Sequence, residues 1–103
     1  MDSDAKLYVI VDEALSPGLK IAQGIHAAFA FRAAHPGLTD EWFVDSNNIV
    51  VLQHHDVPGI EHDIRSLGYR TAVFREPDVG DAITGIAVEP RAGRLLADLH
   101  LAG

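Results

Sequence analysis

The sequence predicts an α/β domain: a four-stranded mixed sheet flanked by helices on its faces, in the order βααβαββα. Three observations predict it. Short apolar, β-branched runs alternate with longer segments of helical period. The first run, Lys6-Leu-Tyr-Val-Ile-Val-Asp12, is almost continuously apolar, as an interior strand covered on both faces requires. The last two strand-like runs are joined by a short turn, so they are expected to pair as neighbours. At 103 residues the chain forms one domain, 1–103, large enough to bury a core without disulfides or a structural metal.

Lys6 to Asp12 is the first strand. Ser16 is a good N-cap and Pro17 suits a first helical turn, so a helix runs to about Ala34, where His35-Pro36-Gly37 turns the chain. Thr39-Asp40-Glu41 opens a short second helix through Trp42 and Phe43, ending near Asn47-Asn48. Ile49 to Gln53 is the second strand. Pro58 to Leu67 is a helix with Ile60, Ile64 and Leu67 at core spacing and Gly68 as its stop. Tyr69 to Arg75 is the third strand, Glu76 to Asp81 a turn-rich loop, and Ile83 to Glu89 the fourth strand. Arg91 to Leu101 closes the domain as a helix with Leu95, Leu96 and Leu99 inward.

Composition excludes several classes. With 48% hydrophobic and 22% charged residues the chain is ordinary globular protein. It has no cysteine, hence no disulfide, no Cys-based zinc site and no thiol catalysis. A net charge of -7 repels polyanions and argues against a broad nucleic-acid footprint, though a local contact with an RNA end is compatible with it. Met1-Asp-Ser-Asp-Ala-Lys6 is acidic and polar, unlike a signal peptide, and no apolar run is long enough to span a membrane, so a cytoplasmic location is expected. His54-His55-Asp56 and His62-Asp63 match no zinc signature, and no phosphate loop, nucleophile elbow or dinucleotide fingerprint occurs. No metal or other cofactor is expected.

The residues best suited to chemistry lie on the first helix. At about 100° per residue, Lys20, Gln23 and His26 fall within an arc of roughly 120°, with Ile21, Ile25, Ala28 and Phe29 on the other side. Lys20 supplies a cation for phosphate or an oxyanion, Gln23 a donor and an acceptor, and His26 a proton relay. The same spacing also fits an ordinary solvated helix face. Asp78, in the turn Arg75-Glu-Pro-Asp-Val-Gly-Asp81, can orient or deprotonate a water, although Asp, Pro and Gly there also serve the turn itself. Thr84 offers a hydroxyl near the start of the next strand, where a β-branched residue is equally well explained by strand preference.

Two segments together resemble the archaeal and eukaryotic type of peptidyl-tRNA hydrolase. Lys20-Ile-Ala-Gln-Gly-Ile-His-Ala-Ala28 is similar to that family's Lys-Ile-Ala-Ala-Gln-x-x-His-Ala-Ala. Asp78-Val79-Gly80 followed by Thr84-Gly-Ile-Ala-Val-Glu-Pro90 resembles its Asp-Ala-Gly turn and Thr-containing strand. The family lysine precedes the glutamine by four residues, a position held here by Leu19, and the loop after Gly80 is shorter. The resemblance implies metal-independent hydrolysis of the ester between peptide and tRNA. In that reading Asp78 positions the water, Gln23 and Thr84 hold the ester carbonyl or ribose, and Lys20 offsets negative charge. It implies peptidyl-tRNA, contacted locally at its acceptor end, as the substrate and a homodimer as the assembly. The alternative is a catalytically inactive dimerising or ligand-binding module of the same fold. The alanine-rich edge of the first helix and the Trp42-Phe43-Val44 cluster are candidate dimer faces, and equally candidate core.

Overall fold

A computed structural model describes residues 4–103; residues 1–3, part of the N-terminal segment expected not to be a signal peptide, lie outside the described residues. Strand β1 (Lys6–Asp12) occupies the centre of a mixed sheet, as its unbroken apolar run requires. The sheet has five strands in the order β3-β4-β1-β2-β5, where β2 is Asn48–His54, β3 Thr71–Glu76, β4 Ala82–Val88 and β5 His100–Leu101. β2 runs parallel to β1, in register from Lys6 opposite Asn48 to Asp12 opposite His54. β4 is antiparallel to both β1 and β3, so the third and fourth runs do pair as neighbours. The carboxyl ends of β1, β2 and β3 therefore share one edge of the sheet.

Helices cover both faces. α1 (Pro17–Ala34) and α2 (Pro36–Asp45) lie on one face, where Ala27 and Phe31 pack with Leu7, Val9, Val11 and Ala87. α3 (Val57–Ser66) and a 3₁₀ segment over Pro90–Leu96 cover the other, with Ile64, Ala92 and Leu96 against Ile10, Leu52, Ile86 and Val88. Ser16 caps α1 as its residue type predicts, its side chain accepting from the Leu19 N–H at 3.4 Å. Asp56 caps α3 in the same way, accepting from the Gly59 N–H at 3.0 Å. Gly68 comes just after α3 at φ +93°, a conformation that favours glycine.

Three expectations are corrected. The closing helix is absent: Pro90–Leu96 is 3₁₀ and the chain then extends into β5, so the sheet has five strands where four were expected. A Cβ at Gly93 would lie 2.5 Å from the Tyr8 hydroxyl, so this segment is pressed against β1 and carries glycine, a poor helix former. Beyond it, β5 pairs with the edge of β2, Leu101 opposite Leu52 and His100 opposite Gln53. The leucine spacing misled because only Leu96 is buried, while Leu99 is half-buried and Leu95 exposed. Likewise Leu67 is exposed at the end of α3 rather than in the core. α2 begins at Pro36, since proline fits a first helical turn; Thr39 sits inside it and donates to the His35 carbonyl at 2.8 Å.

The largest departure is the roll of α1. Lys20, Gln23, Gly24, Ala27 and Phe31 face the sheet, while Ile21 and Phe29 are 64% and 72% exposed and Ile25 is exposed beside them. The cause is close packing. A Cβ at Gly85 of β4 would come within 2.9 Å of the Gln23 carbonyl, so a missing side chain lets helix and strand backbones touch. Gly85→Ala is therefore expected to lower the unfolding free energy by about 1–3 kcal/mol in urea titrations, because backbone blocks the new methyl. Gly18→Ala, in open space in the first turn of α1, should be neutral or stabilising.

Candidate functional site

The polar edge of α1 splits into two arms. Its first two turns lie above the edge formed by the carboxyl ends of β1, β2 and β3. There Lys20 reaches toward β2 and Gln23 toward β3. Side chains along a strand alternate between the two faces of the sheet, so Gln53 lies on the α1 face two residues beyond Val51, and Glu76 on that face beyond Ala72 and Phe74. Lys20 Nζ donates to Gln53 Oε1 at 2.6 Å and to the Gly103 carbonyl at 3.3 Å. Gln23 Nε2 donates to Glu76 Oε2 at 2.5 Å, and Gln23 Oε1 lies 3.0 Å from His26 Nδ1. β2 and β3 stand three strand spacings apart, roughly 14 Å, so the two arms are separate polar centres.

Gln23 and Lys20, 4% and 7% exposed, are thus buried polar groups with partners rather than members of a solvated face. His26 is exposed, with its ring against that of Phe74 at 4.4 Å between centroids. The Gln23 amide is engaged at both ends, its NH₂ by Glu76 and its carbonyl by His26, so only the second N–H of the NH₂ remains to donate to an ester carbonyl.

Glu76 is the carboxylate bonded to Gln23, and no sequence motif singled it out. Its carboxyl is held below its ordinary value near 4.5, chiefly by the hydrogen bond from Gln23, then by the Asp78 N–H and by the neighbouring His26. Asp78 lies two residues on, after the 3₁₀ turn Pro77–Val79 has begun. Its backbone N–H donates to Glu76 Oε1 at 3.2 Å while its side chain is exposed. Asp78 is therefore beside the Gln23 arm and linked to it through Glu76, but it is not bonded to α1 directly. Gly80, at φ +67°, ends the turn.

Thr84 is placed differently again. Phe74 pairs with Gly85 and Arg75 with Ile83, so Thr84 is the extra residue of a β-bulge. It is 5% exposed, and its hydroxyl has no hydrogen-bond partner among the described residues. The structure thus brings Gln23, His26 and, through Glu76, Asp78 together; it sends Lys20 to β2 and buries Thr84. The histidines read for metal spacing do not form a ligand set: His54 and His55 stack at 4.4 Å, and His54 Nδ1 accepts from the Asp56 N–H. No group of three or more His, Asp or Glu suited to a metal occurs among the described residues. None of the described helices is long and apolar enough to cross a membrane.

No protein-family model matches the chain, and no curated protein resembles it closely enough to count as a match.

Because the folded state lowers the Glu76 pKa, the stabilisation from its ionised form is complete above the unfolded value near 4.5 and disappears as pH falls through the lower folded value. Wild type should exceed Glu76→Gln in stability at neutral pH. The gap should close below about pH 4.5 in urea titrations across pH.

Proposed function

We propose that this chain hydrolyses the ester joining a peptide to tRNA, without a metal or nucleotide cofactor, as a divergent relative of the archaeal and eukaryotic type of peptidyl-tRNA hydrolase. The single observation that carries the reading is the contact between the first motif, on α1, and Glu76, which lies two residues before the second motif and accepts from the Asp78 N–H. Gln23 of α1 and Glu76 at the end of β3, 53 positions apart, are joined by a 2.5 Å hydrogen bond. Asp78 and His26 are both exposed beside that contact. Ligand groups in α/β folds commonly lie past the carboxyl ends of strands, which is where this cluster sits.

In the reaction the Asp78 carboxylate holds the attacking water, and the water oxygen bonds to the carbonyl carbon of the ester. The bond to the terminal ribose then breaks, and the ribose oxygen takes up a proton. The net charge of -7 keeps the nucleic-acid contact local, at the acceptor end. Lys20 serves phosphate or the developing oxyanion only after leaving Gln53, and Thr84 contributes only if the bulge opens. Peptidyl-tRNA as substrate gives the protein a cytoplasmic role.

A second reading, a catalytically inactive dimerising module of the same fold, is favoured by the outward apolar face of α1. Ile21, Ile25 and Phe29 border a groove of about 440 Å³ shared with Ile49 and Val51. Phe29 also borders a second groove, of about 520 Å³, with Trp42, Phe43 and Val44. A homodimer through this face is compatible with either reading.

Peptide release from purified peptidyl-tRNA separates them. Wild type is expected to release peptide, and Asp78→Asn to do so about 10²–10³-fold more slowly. Absence of release by a wild type that sediments as a dimer would favour the module.

A further inference from the structure

The Gln23 amide has one orientation consistent with its neighbours. Glu76, a carboxylate at neutral pH, can only accept hydrogen bonds, so the Gln23 NH₂ must face it. The Gln23 carbonyl oxygen is then the atom 3.0 Å from His26 Nδ1, and it can only accept. His26 Nδ1 must carry the proton. In the neutral ring the lone pair is consequently on Nε2, which has no hydrogen-bond partner among the described residues and belongs to an exposed side chain. Contact with the Phe74 ring restricts rotation of the imidazole.

We propose that Glu76 and Gln23 are positioning residues that hold His26 with its proton on Nδ1, so that Nε2 takes the proton of the attacking water. This inference rests on the ester-hydrolase reading and names the base within it. As the water oxygen bonds to the carbonyl carbon, one water proton passes to Nε2, and the imidazolium formed keeps its Nδ1–H on Gln23 with the Glu76 charge behind it. When the tetrahedral intermediate collapses, the bond to the ribose oxygen breaks and that oxygen takes the proton back from Nε2. The products are a peptide with a free carboxyl and tRNA with a free hydroxyl, and water is the only co-reactant. Asp78 orients the water, and the Glu76–Gln23 pair sets which nitrogen of His26 receives the proton.

The imidazole ¹⁵N spectrum at neutral pH tests the positioning without any substrate, with His26→Ala used to assign the resonances among the six histidines. A neutral histidine free in water prefers the Nε2–H form. The proposal expects the Nδ1–H form for His26 in wild type and reversion toward Nε2–H in Gln23→Ala. An Nε2–H ring in wild type overturns it. In peptide-release assays His26→Ala should lower kcat by about 10²–10⁴-fold, with partial rescue by added imidazole. Gln23→Ala should lower kcat by about 10-fold or more while KM changes by less than about twofold. Release by wild type together with unchanged kcat in His26→Ala overturns this inference alone. Failure of wild type to release any peptide overturns the ester reading and the role of His26 as its base.

Discussion

The backbone contact between α1 and β4 at Gly85 governs the rest of the molecule. Gly85 has no side chain, and the Gln23 carbonyl of α1 fills the space that a Cβ would need. A helix seated this closely has little freedom to roll. Gly24, Ala27 and Phe31 go into the seam, and Lys20 and Gln23 straddle it, one over β2 and the other over β3. Side chains forced against a sheet must find partners, since a buried polar group without one costs about 1–3 kcal/mol. The strand ends supply them in Gln53 and Glu76. The same roll turns Ile21, Ile25 and Phe29 outward, so the polar cluster and the apolar outer face have one steric origin.

The two arms differ in chemistry. The Lys20 arm ends on the side-chain oxygen of Gln53 and the backbone oxygen of Gly103. The Gln23 arm contains a carboxylate, an amide and an imidazole in a chain of hydrogen bonds, with the imidazole at its exposed end. In that chain the carboxylate does not touch His26; the amide passes on its orienting effect by presenting its carbonyl to Nδ1. Asp78 joins from the side, its backbone amide helping to hold Glu76 in place.

Much of the fold was legible because it depends on local chemistry. The apolar run Lys6–Asp12 marked the central strand, Ser16 and Pro17 marked the start of α1, and the short turn before β4 marked its pairing with β3. The roll of α1 was not legible. The apolar residues of the helix point outward, against the usual rule, and the reason lies in a glycine of β4 sixty-two positions beyond Gln23. Glu76 was missed through a one-residue boundary. With the third strand ending at Arg75, Glu76 read as loop; extended by one residue, the alternation Ala72, Phe74, Glu76 puts it on the α1 face. Likewise Val51 and Gln53 share a face, which would have paired Gln53 with Lys20. The Leu95, Leu96 and Leu99 spacing imitated a helix because periodicity does not register the steric limit that Tyr8 imposes at Gly93.

The central claim is that Gln23 and Glu76 act on His26 as one unit. A double-mutant cycle on peptide release, built from Gln23→Ala and Glu76→Ala, tests it most directly. If the two residues act only through each other, the double variant should be no slower than the slower single variant, to within about twofold. Losses that multiply would show two independent contributions and contradict the account.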